Sequence, residues 1–159
     1  MNFRPMEATD YHVLEDFLYL AIFIRPGVEP PPREIIYEPD IYIYIKDFGV
    51  RSDLGVVAEL DGEIVGAAWT RIIPAFGHLD DDTPELAISV LPQNRGKGVG
   101  TIMMLHLFDM LWEKGFRRTS LSVQKDNPAV NLYKRLGYSV AEDRPDGAEH
   151  EDYLMVKVL

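Results

Sequence analysis

Apolar and polar positions fall into blocks of distinct period along this chain, and the blocks predict most of its elements. Residues 2–6 form a short strand. Thr9-Asp10 offers a helix N-cap, after which Val13, Leu14, Phe17, Leu18, Ala21 and Ile22 recur at helical spacing. That helix stops before Pro26-Gly27, and Gly27 to Pro32 (GVEPPP) is a stiff loop because proline fixes φ. A second short helix fits within 33–47, against a Tyr and Ile alternation at 41–45. From Leu54 the period shortens. LGVVAEL and EIVGAAWTRII flank Asp61-Gly62, which tolerates the positive φ of a hairpin turn. Gly77 to Thr83 is an acidic loop, and Glu85 to Leu91 is a strand ended by Pro92. A long apolar helix runs from about Gly98 to Lys114, with Gly115 as its C-terminal cap. Phe116 to Gln124 reads as a strand, and Pro128 to Leu136 as a helix with Pro in its first turn and Gly137 as its cap. Tyr138 to Ala141 and Asp152 to Val158 are two closing strands. This order predicts a mixed sheet with helices on its faces, an α+β (α/β type) fold in a single domain over 1–159.

Composition narrows the classes. The 159 residues, 47% of them hydrophobic, suffice for one core. The longest apolar run, Phe17 to Ile24, is too short to span a bilayer, and the first residues lack a signal pattern, so a cytoplasmic protein is expected. The absence of cysteine excludes disulfides, thiolate metal sites and a thiol nucleophile. With 16 basic and 26 acidic side chains the net charge is −10, which argues against nucleic acid and anionic membranes as partners. Charge is nevertheless uneven: residues 95–135 hold eight basic and three acidic side chains (+5), leaving −15 for the remainder. Such asymmetry points to an anion at one part, unless it is chance clustering on a solvated surface. His78 near Asp80, Asp81 and Asp82 is read as a solvated acidic loop, and no metal is expected.

The sharpest local signal is Arg95-Gly96-Lys97-Gly98-Val99-Gly100-Thr101, between a strand and the long helix. Alternating glycines permit left-handed backbone and bring bare N–H groups towards a ligand. The helix start adds free amides and the positive end of its dipole, and Arg95 and Lys97 reinforce a phosphate site. Two familiar phosphate motifs fail: no Lys precedes Thr101 as a Walker loop requires, and G-x-G-x-x-G would need glycine at Thr101 or Met103.

Arg95 to Gly100 resembles the R/Q-x-x-G-x-G/A signature of the GCN5-related N-acetyltransferases, which use acetyl-coenzyme A. Upstream, Glu85 to Pro92 (ELAISVLP) looks like that family's fourth strand, and downstream Asn127 to Tyr138 (NPAVNLYKRLGY) resembles its N-x-x-A-x-x-L-Y-x-x-x-G-F/Y element. The resemblance is specific over 85–138, and the element order fits across the chain. It implies a mostly antiparallel sheet of about six or seven strands flanked by about four helices.

The resemblance also implies roles. Amides of Arg95, Gly96, Lys97, Gly98, Val99, Gly100 and Thr101 would hold the coenzyme A pyrophosphate, and the main chain of Ile88, Ser89 and Val90 would pair with the pantetheine arm. Asn127 would hydrogen-bond the cofactor, although its position before Pro128 suits helix capping equally well. Tyr133 would be the general acid for the departing thiolate, the alternative being a tyrosine packed on the sheet. Glu85 is the best-placed base, sharing a face with Ala87, Ser89 and Leu91, unless it is merely an exposed carboxylate at a strand end. Direct attack of an amine in a ternary complex needs no covalent enzyme intermediate. The expected acceptor is a small-molecule amine, with residues 23–35, Trp69 and Arg71 as candidate walls. Arg71, if it pointed into the pocket, would favour an acceptor bearing a carboxylate. A non-catalytic acyl-CoA sensor and a protein or peptide N-acetyltransferase are the alternatives, and a homodimer is compatible with either.

Overall fold

The computed structural model describes residues 1–50, 52–141, 144 and 150–159. Seven strands form one sheet in the order β1-β2-β3-β4-β5-β7-β6. The strands are β1 (Asn2–Pro5), β2 (Leu54–Leu60), β3 (Glu63–Arg71), β4 (Glu85–Val90), β5 (Arg118–Gln124), β6 (Tyr138–Val140) and β7 (Asp152–Val158). Every neighbouring pair is antiparallel except β4 and β5. The helices are α1 (Leu14–Ala21), α2 (Pro39–Tyr42), α3 (Val99–Glu113) and α4 (Ala129–Arg135). The mixed, mostly antiparallel sheet with helices on both faces agrees with the sequence reading.

Two apolar clusters lie on opposite faces of the sheet. Met103, Met104, Leu107 and Leu111 of α3 are fully buried against Val56, Ala58, Leu86 and Leu121. On the other face Leu14, Phe17 and Leu18 of α1 and Ile36 cover Val57, Ala67 and Trp69. The period-2 alternation of β2 and β3 divides their side chains between these cores. Among the described residues no helix is long and apolar enough to cross a membrane.

Several boundaries differ from the sequence reading, each for a local reason. The first helical segment begins as a 3₁₀ helix at Ala8–Val13, capped by Glu7 rather than by Thr9 or Asp10. Asp10 occupies the third helical position and completes a capping box by accepting the Glu7 N–H at 2.8 Å. Its other partner, Arg4, reaches it at 2.7 Å and holds the carboxyl below its ordinary range. Within 33–47 the chain forms a 3₁₀ helix at Arg33–Tyr37 and the single turn of α2, because Pro39 ends the first and starts the second. The long helix starts at Val99, one residue after the expected Gly98, since Gly98 is its left-handed cap with φ 80°.

Candidate active site

The parallel pair β4 and β5 meets at one register point, Glu85 opposite Ser120, with the Ser120 N–H donating to Pro84 O at 3.0 Å. Beyond that point the strands part, and a cleft of about 340 Å³ fills the gap. Leu86, Ala87 and Ile88 of β4 form one side and Leu121 to Gln124 of β5 the other. The end of α1, Phe23, Arg25, Tyr44 and Phe76 line the remainder. Main-chain groups alternate along β4. Leu91 N–H bonds to Val65 O on the β3 side at 2.8 Å, whereas Pro84 O faces β5. The alternation therefore turns the main chain of Leu86, Ile88 and Val90 to the cleft and that of Ser89 to β3. Val90 O already accepts from Arg95 Nε at 3.0 Å, and the Ser89 hydroxyl donates to Phe17 O at 2.6 Å. Of the three strand residues expected to meet a ligand, Ile88 is the one that lines the cleft.

The glycine-rich turn lies at the carboxyl end of β4, outside the cleft lining. Gly96 and Gly98 have φ of 74° and 80°, and a Cβ at either would meet nothing within 4 Å. These glycines thus supply backbone conformation and leave the space above them open. Ile102 N–H makes its bond to Gly98 O at 3.1 Å, so the amides of Val99, Gly100 and Thr101 have no intrahelical carbonyl. Buried Val99 anchors the helix start, while Arg95 and Lys97 are exposed beside it. The +5 segment does not form one patch. The 15 residues of α3 span about 22 Å, which puts Arg117 and Arg118 beyond its far end. Arg118 is paired there with Asp80, and Arg117 lies 4.0 Å above the Trp112 ring. Arg95 and Lys97 are the basic residues of the turn itself.

Asn127 and Tyr133 reach the cleft from the other side. Asn127 Oδ1 accepts the Ala129 N–H at 2.9 Å, which caps α4, so this residue both starts the helix and faces the cleft. The Tyr133 ring packs edge-on against Tyr138 with centroids 5.9 Å apart. Its hydroxyl makes no hydrogen bond among the described residues, and burial pushes its pKa up to about 12. The phenol is therefore fully protonated at neutral pH.

Glu85 is not an exposed carboxylate at a strand end: it is 2% accessible. Gly77 N–H donates to its Oε2 at 2.9 Å and the Tyr44 hydroxyl donates to the same oxygen, while Oε1 is buried without a partner. Gly77 must be glycine for this contact, since a Cβ would lie 2.7 Å from the backbone of Leu121 and Ser122. Burial, partly offset by the Tyr44 and Gly77 hydrogen bonds, pushes the Glu85 pKa from 4.5 up to about 7. A carboxyl raised in the folded state contributes stability below its unfolded pKa that is lost as pH rises through about 7. The loss corresponds to about 3 kcal/mol at full ionisation. Between pH 5 and 8 the unfolding free energy of wild type should therefore fall relative to that of Glu85→Gln, as denaturant titrations at each pH would measure.

Trp69 and Arg71 do not form a pocket wall. Both side chains turn to the α1 face, because beyond the bulge opposite Ala58/Glu59 the positions Ala67, Trp69 and Arg71 alternate onto that side of β3. Trp69 is fully buried and donates Nε1–H to Tyr44 O at 2.9 Å. Arg71 pairs with Asp53 at 3.0 Å and donates to the carbonyls of Ile43 and Lys46 at 2.9 and 2.8 Å. The carbonyls of Ile43, Tyr44 and Lys46 are thus fastened to β3, which holds Tyr44 in place. No motif marks Tyr44 in the sequence, where the Tyr and Ile alternation at 41–45 runs against the short helix read within 33–47. Of residues 23–35, Phe23 and Arg25 line the cleft, whereas Ile35 packs under α1 and Pro31 O accepts the Tyr19 hydroxyl. In the acidic loop His78 lies 3.7 Å from Asp81, while Asp80 is engaged by Thr83 and Arg118. Among the described residues no three such groups gather around a metal-sized space.

The model of the Acetyltransferase (GNAT) family matches residues 18–138. The chain belongs to that family. An N-alpha-acetyltransferase of Sulfurisphaera tokodaii is 38% identical over 129 residues, covering 74% of this chain and 77% of that protein. A mycothiol acetyltransferase of Arthrobacter sp. (strain FB24) is 33% identical over 79 residues, 49% of this chain. The chain spans about a quarter (24%) of the length of that relative. Among solved structures, the PaiA N-acetyltransferase of Thermoplasma acidophilum in complex with coenzyme A superposes with a TM-score of 0.67 at 17% identity, covering 100% of both chains. That likeness shows the GNAT fold.

Proposed function

We propose that this protein transfers an acetyl group from acetyl-CoA to the primary amine of a small molecule, by direct attack in a ternary complex. The observation that carries this reading is the cleft between β4 and β5, with the main chain of Ile88 on one side and the unbonded Tyr133 hydroxyl on the other. The residues present fit the co-substrate: open space lies above left-handed Gly96 and Gly98, and the amides of Val99, Gly100 and Thr101, which have no intrahelical carbonyl, would hold its pyrophosphate with Arg95 and Lys97 beside them. When bound, acetyl-CoA supplies an activated acyl group as a thioester. Ile88 offers a strand edge to an extended amide-bearing arm, and Asn127 adds a side-chain amide. Tyr133 holds the proton that the departing sulfur requires. Glu85 takes the proton that an ammonium must lose before its nitrogen can attack. A chain of net charge −10 also suits a cationic acceptor away from the turn that carries Arg95 and Lys97.

A second reading is supported by the Sulfurisphaera tokodaii relative, whose match covers the larger share of both chains and whose name specifies an α-amine. In that reading the acceptor is the amino terminus of a protein. Calorimetric titration with acetyl-CoA tests the common part: binding below millimolar concentration is expected, and its absence overturns both readings. Thiol release with spermidine, glucosamine and lysine methyl ester, set against alanine- and serine-initiated hexapeptides, separates them. Gly98→Val forces a β-branched residue into φ near 80°. It should weaken coenzyme A binding about tenfold, corresponding to about 1.4 kcal/mol, with little change in kcat at saturation.

A further inference from the structure

The buried Glu85 has no direct access to the cleft, since it is absent from the cleft lining whereas Tyr44 is part of it. The Tyr44 hydroxyl donates to Glu85 Oε2, so one residue touches both the cleft and the carboxylate. We propose that Tyr44 is the proton conduit between the acceptor amine and Glu85, and therefore a further catalytic residue of this site. The inference rests on the N-acetyltransferase reading and adds to it the route by which the base is reached.

The step balances simply. An N–H proton of the acceptor ammonium passes to Tyr44 Oη as the Tyr44 O–H proton passes to Glu85 Oε2. The nitrogen keeps the electron pair of the broken N–H bond and becomes a free amine, the phenol is regenerated, and Glu85 becomes a neutral carboxylic acid. Glu85 later returns that proton along the same path to solvent. No free phenolate is required, because donation and acceptance occur on one oxygen. That matters here, since burial and the adjacent Glu85 charge both raise the Tyr44 pKa far above its ordinary value. Tyr44 therefore cannot serve as the base itself. Glu85, pushed up to about 7, can.

The surroundings hold this geometry. Trp69 Nε1–H fixes Tyr44 O from β3, and Arg71 fixes the carbonyls of Ile43 and Lys46 on either side. Gly77 N–H points at Glu85 Oε2 from the β3–β4 loop, and Ser120 Oγ holds Gly77 in place by donating to its carbonyl at 2.7 Å. Among the described residues the charged groups that face Glu85 from the packed elements are few. Asp152 of β7 raises its pKa by repulsion, while Arg71, its register partner on β3, is neutralised by Asp53. Glu85 Oε1 is buried and unpartnered, and a water reaching it would be a rival path that bypasses Tyr44.

The test compares wild type, Tyr44→Phe, Glu85→Gln and the double variant, each first checked for unchanged coenzyme A binding by calorimetry. In the ligand-free proteins, carboxyl-¹³C NMR of labelled glutamate should show the Glu85 titration moving upward in Tyr44→Phe, because a hydrogen bond to the ionised form is lost. With whichever of spermidine, glucosamine, lysine methyl ester and an alanine-initiated hexapeptide wild type acetylates fastest, Tyr44→Phe should lower kcat/KM about tenfold and abolish the limb of its pH profile that follows Glu85. The double variant should be no slower than Glu85→Gln alone, as expected for two groups in series. Multiplicative losses in the double variant, or a Tyr44→Phe profile that keeps the Glu85 limb, overturn the conduit while leaving the acetyltransferase reading intact. Wild type inactive with all four probes overturns both, and is distinguished by that inactivity.

Discussion

Replacing Tyr133 by Phe is expected to lower kcat about 100-fold or more while leaving the affinity for coenzyme A nearly unchanged. The reason lies in what the hydroxyl does and does not touch. It has no hydrogen-bond partner among the described residues, and its ring is held by contact with Tyr138 that phenylalanine retains. Removing the oxygen should therefore cost little stability and little binding. It removes the proton donor that Tyr133 presents to the cleft, and with its pKa pushed up to about 12 that donor is loaded at every pH at which the protein is assayed. The deficit should accordingly be flat from pH 6 to 9, unlike the loss at Tyr44 or Glu85. Steady-state thiol release and calorimetry on the same preparation decide the matter. Unchanged turnover would leave Tyr133 as a packing residue.

Arg71→Leu should destabilise the protein by about 3–5 kcal/mol, the usual consequence of removing one partner of a buried ion pair. The side chains of Arg71 and Asp53 are 7% and 6% exposed, and Arg71 also satisfies the carbonyls of Ile43 and Lys46. Leucine leaves a buried carboxylate without its counterion and two acceptors without donors. Among the described residues Asp53 then retains the amides of Gly49 and Val50, at 3.0 and 3.2 Å. Chemical denaturation measures the loss. The same variant tests the sequence-based suggestion that Arg71 binds a carboxylate of the acceptor. In that case stability would survive and KM for the acceptor would rise, whereas the observed geometry predicts the opposite pattern.

The portions of the site that were legible in the sequence are those made from contiguous residues. The turn Arg95–Thr101 could be read because left-handed glycines and a helix start are local events, requiring only neighbouring φ and hydrogen bonds. Asn127 as a cap and Tyr133 on the following helix belong to one short segment and were likewise visible. Alternation placed Glu85, Ala87 and Ser89 on one face of a strand, which is how they stand. Charge was legible only as a sum. The +5 between residues 95 and 135 suggested one basic patch, but a 15-residue helix separates its ends and hands Arg118 to Asp80.

Tyr44 was invisible for the complementary reason. It lies 41 residues from Glu85 in a segment whose local pattern indicates neither its structure nor its chemistry. Trp69 and Arg71 are candidate acceptor walls by their place on the third strand, yet their work is to hold that segment from behind the sheet. Whether Glu85 was exposed or buried could not be read from the strand that carries it. The answer depends on Gly77 and Tyr44 arriving from two other parts of the chain.

The alternating blocks of apolar and polar residues determined by themselves the kinds of element and their order, and the glycine spacing marked a left-handed turn at a helix start, because these follow from backbone conformation and periodicity over a few residues. Only the tertiary structure decided that β4 and β5 part after a single register point, and that the buried carboxyl of one meets a phenol from beyond α2. Burial is a property of what covers a residue, and the covering segments are distant in sequence. For the same reason the raised Glu85 pKa belongs to the fold rather than to any stretch of chain.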